Sequence, residues 1–204
     1  MKVFDWQKKI DQKELEECKK VVQKGGIIIF PTDTVYGIGC DCFNQKALEK
    51  IYSIKRRNLN KPVNVLCSDI NAIKSITKNL SMLEKKIIDK YMPGDLTIIL
   101  SKKENVKNDL INNVDTVGVR IPKNDIALTL LNYIKIPLTT TSANISDEAA
   151  LTNFKDVYEK FKNNDDVDII INGGQSDIGI ASTIIRIENN QIVVLRHGNL
   201  KVTI

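Results

Sequence analysis

The chain has 204 residues, 42% hydrophobic and 27% charged, with a net charge of +5. That is enough apolar content for one globular core, and the mild basicity suits a phosphate-bearing ligand without resembling a polybasic nucleic-acid tail. A single histidine and four cysteines without a CxxC pair exclude the usual zinc ligand sets and a disulfide scaffold.

No apolar run approaches the ~18 residues of a membrane span. The N-terminal "MKVFDWQKK" has no signal-peptide core. The expectation is a cytoplasmic protein with reduced thiols, no membrane partner and no metal site built from side chains.

Asp11-Gln-Lys-Glu14 resembles a capping box, and Leu15, Cys18 and Val22 form a helical stripe that runs out at Gly25-Gly26. "GGIIIFP" reads as a buried strand. Asn44 can cap a helix carrying Leu48, Ile51 and Ile54 on one face. "PVNVLC" is a strand, and Ser81-x-x-Glu84 opens a helix that stops before Pro93-Gly94. "LTIIL", "VGVRIP" and "IPLTTT" are strands, with a helix around Ile126 to Ile134 between the last two. Phe154, Val157, Tyr158 and Phe161 mark a late helix. "VDIII" and the hairpin "STIIRIENNQIVVLR", turning at Asn189-Asn190, complete a sheet. Without a strict βαβ rhythm, repeats or linkers, the expected fold is a single mixed α/β domain over residues 1–204.

Familiar sites fail. Gly174-x4-Gly179 has Ile180 where a phosphate-binding loop needs lysine, "GIGCDC" lacks a third dinucleotide-binding glycine, and there is no GxSxG elbow. His197 reads as a loop residue. What remains is polar chemistry at strand ends: Thr32, Asp33, Thr34 and Tyr36 in "PTDTVYG", Arg120 in "VGVRIP", Thr139 to Asn144 in "TTTSAN", and Ser182 and Thr183. Each alone has an ordinary explanation in strand termination or turn formation. Lys55, Arg56, Arg57 and Lys61 crowd into seven residues, however, and such repulsion calls for an anion nearby.

In order and spacing, "FPTDTVYGIGCD", the Lys-x-Arg of "KRRNLNKP", "PGDLTIIL", "VGVRIP", "TSANIS", "STIIRI" and "LRHG" resemble the YrdC-like family. The match runs from about Gly25 to Gly198 and is nearest the short threonylcarbamoyl-AMP synthases of the TsaC type. The resemblance implies a twisted mixed sheet with flanking helices around a deep basic groove. It implies an enzyme that condenses L-threonine, bicarbonate and ATP into threonylcarbamoyl-adenylate and pyrophosphate. Downstream threonylcarbamoyl-transferase machinery then modifies an adenosine beside the anticodon of certain transfer RNAs; direct transfer-RNA binding is left open.

The same resemblance assigns roles. Lys55, Arg57, Ser142 and Asn144 are the catalytic set, with Lys55 and Arg57 expected as exposed cleft charges. Thr34, Arg120 and Ser182 hold L-threonine. Arg57, Lys61, Thr116, Thr140, Ser142 and Arg196 hold ATP, and Mg2+ rides on its phosphates. Asp147, Ala149 and Leu151 stand where the family commonly has Gly, Pro and Pro, and Ala181 and His197 stand where proline is usual. The chain also ends where long family members continue into another domain. The rival reading is a YrdC-like RNA-binding module without synthase activity, which the 5% aromatic content supports poorly. A third is a carbamoyl-adenylate-forming domain with another acceptor.

Overall fold

Short polar residues start every helix. In a computed structural model, which describes residues 1–110 and 114–203, six helices each open on a side chain that accepts a backbone N–H. Asp11 caps α1 (Gln12–Gln23), Asn44 caps α2 (Gln45–Lys55) and Asp69 caps α3 (Ile70–Ile76). Ser81 caps α4 (Met82–Tyr91) in a full capping box with Glu84, Asn124 caps α5 (Asp125–Ile134) and Asn153 caps α6 (Phe154–Phe161). Each cap satisfies donors that the first turn leaves orphaned, at about 1 kcal/mol apiece.

Ten strands form one sheet among the described residues: β1 (Lys2–Asp5), β2 (Ile28–Phe30), β3 (Gly37–Asp41), β4 (Asn64–Leu66), β5 (Leu96–Ser101), β6 (Thr116–Arg120), β7 (Leu138–Ser142), β8 (Ile169–Asn172), β9 (Thr183–Glu188) and β10 (Gln191–Arg196). Their order is β1-β8-β2-β3-β7-β4-β6-β5-β9-β10. The β1–β8, β2–β8, β4–β6 and β5–β9 pairs are parallel and the rest antiparallel, so the sheet is mixed, as expected. Asn189 and Asn190, at φ 49° and 62°, make the two-residue turn between β9 and β10.

Strand alternation gives the sheet two unequal faces. One is covered across its width. Ile29, Ile38, Cys40 and Ile170 lie with residues of α2 and α6, and Val65, Val119, Ile98 and Ile185 lie with residues of α3 and α4. The other face is covered only on the β1 side, where Ile28, Phe30, Leu66 and Leu138 meet α1 and α5. Past the ends of those two helices the same face carries Asn64, Gly118, Thr97 and Thr140, and that uncovered half is the candidate site.

The four cysteines are buried free thiols, and burial pushes each up, Cys18 to about 12. His197 is exposed just after β10, the loop position expected of it. No helix among the described residues is long and apolar enough to cross a membrane.

Candidate active site

The floor is made of residues too small to fill it. A Cβ on Gly37 would lie 2.8 Å from Thr140 Cγ2, and one on Gly118 only 2.3 Å from Asn64 Oδ1. Alternation puts both glycines, with Thr140 and Asn64, on the uncovered face. Above them is a cavity of about 240 Å³. Its charged lining residues are Arg57, Arg120 and Arg196, with no carboxylate among them.

At one end the β2–β3 loop folds around Thr32. Its Oγ1 donates to Val35 O at 2.6 Å and accepts from the backbone N–H groups of Thr34 and Val35. This local turn stands Thr34 and Asp33 against Arg120, which is only 5% exposed. Arg120 donates from Nη2 to Asp33 Oδ1 at 2.6 Å, from Nη1 to Thr34 Oγ1 at 2.8 Å and from Nε to Gly94 O at 2.8 Å. Those bonds fix the guanidinium plane and still leave donors on its outer edge. Ser182 sits nearby, its Oγ 2.7 Å from Thr97 Oγ1 and 3.1 Å from the Nη2 of Arg196. Partial burial first, then the charge of Arg120, push the Arg196 guanidinium down. A guanidinium whose charge is disfavoured by burial and by a second guanidinium makes a seat for an anion.

At the other end Lys55 corrects an expectation. It is no exposed cleft charge: it is 1% exposed and lies behind the cavity wall. Its Nζ donates to Ser142 O at 2.5 Å, Asn144 O at 2.7 Å and Asn144 Oδ1 at 2.8 Å, so all three ammonium donors are used. Ser142 Oγ donates to the same Asn144 Oδ1, and Asn144 Nδ2 donates to Glu148 O. Burial, and then Arg57, push the Lys55 ammonium down to about 7. Arg57 itself lines the cavity, half-buried, with Nε on Lys61 O and Nη2 on Pro62 O. Burial pushes it down as well.

The structure therefore brings seven of the sequence-predicted residues to one cavity: Thr34, Arg57, Arg120, Thr140, Ser142, Ser182 and Arg196. Lys55 and Asn144 stand one layer behind. Lys61 is outside the lining, exposed, and 3.5 Å from Asp147. Thr116 is also outside, exposed at the far end of β6 from Arg120 but on the same face. Sequence reasoning gave no role to Asp33, Thr97 or Asn64. Asn64 did carry a signal, as a polar residue inside the apolar "PVNVLC".

Comparison with known proteins decides the family. The Sua5/YciO/YrdC family, described as telomere recombination, matches residues 20–198. The chain belongs to this family. A Methanocaldococcus jannaschii member, provisionally named a threonylcarbamoyl-AMP synthase, is 39% identical across 97% of this chain and 92% of its own. The threonylcarbamoyl-AMP synthase of Pyrococcus abyssi is 29% identical over 97% of this chain, which spans only 58% of that protein. A crystal structure of P. abyssi Sua5 complexed with L-threonine superposes with a TM-score of 0.91 at 29% identity, covering 98% of this chain and 58% of that one. Escherichia coli YciO shares the fold, with a TM-score of 0.83 over 97% of this chain and 95% of its own, at 24% identity.

Proposed function

We propose that the protein is an L-threonylcarbamoyladenylate synthase, a nucleotidyltransferase acting on L-threonine, bicarbonate and ATP. The observation that carries this reading is the cavity with three arginines and no carboxylate in its lining, flanked by hydroxyls. The reaction needs that combination. The threonine amine adds to bicarbonate with loss of water, giving an N-carboxylate. One of its oxygens then attacks the α-phosphorus of ATP and pyrophosphate leaves with the bonding pair. Attacker and electrophile are both anionic, so fixed positive charge must screen them and fixed hydrogen bonds must align them.

In this reading Arg120, positioned by Asp33, holds the threonine carboxylate beside Thr34 and Ser182. Arg57, Lys61, Thr116, Thr140, Ser142 and Arg196 hold ATP along the uncovered face, a groove made basic by its arginines. Lys55 and Asn144 act from behind by fixing Ser142, and Lys55 adds its charge to the phosphate side. Among the described residues no group of three or more His, Cys, Asp or Glu is placed to hold a metal. Magnesium then enters as part of the Mg-ATP substrate, where it neutralises phosphate charge.

The adenylate passes to transferase machinery that modifies transfer RNA in the cytoplasm. The test is pyrophosphate release from ATP with threonine and bicarbonate omitted in turn. Release should need both, and release indifferent to either would overturn the reading.

A further inference from the structure

Thr97 is a buried hydroxyl on the uncovered face of β5. It is 1% exposed and lines the cavity, while Leu96, Ile98 and Leu100 of the same strand point to the opposite, covered face. Its Oγ1 lies 2.7 Å from Ser182 Oγ, itself 4% exposed. Arg196 donates through Nη2 to Ser182 Oγ at 3.1 Å, and through Nε and Nη2 to Ser182 O at 3.0 and 2.8 Å.

Proton counting then constrains the pair. A guanidinium has donors only, so Ser182 Oγ is already an acceptor. If Thr97 donates to Ser182, the Ser182 proton is left for the cavity. If Ser182 donates to Thr97, the Thr97 proton is left instead. Either way two hydroxyls present one spare proton, and it must meet an acceptor.

The register says where that acceptor lies. β5 and β6 pair Ile98 with Val119 and Ile99 with Gly118, and the next step sets Thr97 beside Arg120 on the same face. The spare proton and the outer edge of the Arg120 guanidinium therefore converge. An ammonium group offers no acceptor there; a carboxylate does.

We infer that Thr97 and Ser182 act as one unit that donates a single hydrogen bond to the α-carboxylate of the bound amino acid, with Thr97 a positioning residue for substrate affinity. The inference rests on the synthase reading and adds a claim that it does not contain. Thr97 acts on the part common to all amino acids, not on the threonine side chain.

Calorimetric titration of L-threonine, L-serine and L-2-aminobutyrate into wild type, Thr97→Val and Thr97→Ser tests it, with ATP titrated separately. Thr97→Val should weaken all three amino acids by about tenfold, the scale of one hydrogen bond to a charged group. ATP affinity should hold within about twofold, and Thr97→Ser should restore the amino-acid affinities. Wild-type affinity for threonine in Thr97→Val overturns the inference while leaving the synthase reading intact. So does a loss confined to threonine, which would move the proton to the side-chain hydroxyl, or an equal loss for ATP. No response of the wild type to any amino acid overturns both.

Discussion

Two halves of one sheet face differ by a two-residue step along the same strands. On β7, Leu138 is fully buried among residues of α1 and α5, and Thr140, next on that face, opens into the cavity. On β4 the order is reversed: Asn64 opens into the cavity, and Leu66 stands at the boundary, packed in the core under the helices and touching the cavity as well. Under the helices the face is a packed core, where each large side chain contributes about 1.5–3 kcal/mol. Beyond them it is a floor of Gly37, Gly39 and Gly118 between polar rows. The difference is one of cover, not of backbone. The sheet continues with the same pleat and pairing, and the helices stop. Stability and chemistry are thus assigned to adjacent stretches of the same strands, and substitutions should separate them.

The largest effect belongs where the two requirements coincide. Lys55 is buried like a core residue and bonded like a site residue, so Lys55→Ala should fail on both counts. Removing the ammonium takes the Lys55 bond from Asn144 O and one of two donors from each of Ser142 O and Asn144 Oδ1, which keep Asn144 N–H and Ser142 Oγ, and should cost about 2–3 kcal/mol. Turnover of the remaining folded protein should fall at least ~100-fold, as when a preorganised electrostatic contact is lost. Chemical unfolding and pyrophosphate release measure the two separately. Turnover lost with stability unchanged would show that the network does not depend on its lysine.

The same residue makes a pH test. Its folded value is depressed to about 7 from an ordinary 10.5. Between those values the unfolded chain binds more protons, so this group's contribution to stability rises with pH and is lost as pH falls through 7. The stability difference between wild type and Lys55→Met should therefore shift in favour of wild type from pH 7 to 10. A flat difference would mean that the three carbonyl oxygens keep the ammonium charged throughout, against its burial.

Arg120→Lys comes next. A lysine cannot keep Asp33, Thr34 and Gly94 O together and still present a planar edge. The threonine KM should rise by about 100-fold or more and the ATP KM by far less, since the loss falls on one substrate. An effect on ATP alone would place the amino acid elsewhere.

A paired exchange across the helix boundary is smaller and more direct. Leu138→Thr should cost about 3 kcal/mol in unfolding experiments while leaving turnover per folded molecule unchanged. Thr140→Val keeps the shape, loses the bond from Thr140 Oγ1 to Leu138 O, and should cost only about 1 kcal/mol while raising the ATP KM. If both substitutions lowered stability and activity alike, the division at the ends of α1 and α5 would be wrong.

Much of this was legible because local signals and tertiary packing agree. Capped helices with apolar stripes and strands flanked by turns were found, and so was the Asn189-Asn190 turn. The misses share a cause. β3 alternates Gly37 and Gly39 with Ile38, so the face that becomes the floor has no side chains to count and resembles a loop. β1 is a sheet edge with only Phe4 of its four residues buried. α3 is seven residues long, with Ile73 and Ile76 its buried contacts. At the site, residue types were readable and depth was not. Whether a lysine at a helix C-terminus faces solvent or turns inward depends on where the β7 carbonyls lie, which is long-range information. Asp33 was singled out without a role and Thr97 was not singled out, for the same reason: their partners are 87 and 85 residues away in the chain.

The smallest effect is expected one residue from the largest. Arg56 shares the cation cluster but is exposed, and it ends α2 in the left-handed region at φ 50°. A side chain with a Cβ is strained there by about 1 kcal/mol, and glycine is not. Arg56→Gly should therefore stabilise the protein by about 0.5–1 kcal/mol, less whatever unfolded-state entropy the glycine adds. Turnover should stay within about twofold, because a single exposed charge contributes little at this distance in salt. Arg57→Ala, one step along, removes a guanidinium tied to Lys61 O and Pro62 O and facing the cavity, and should lose at least ~100-fold. If Arg56→Gly lost as much, the cluster would act through its summed field and not through placed donors. Repeating both variants at low and high salt separates these cases, since a summed field fades with ionic strength and a buried contact does not.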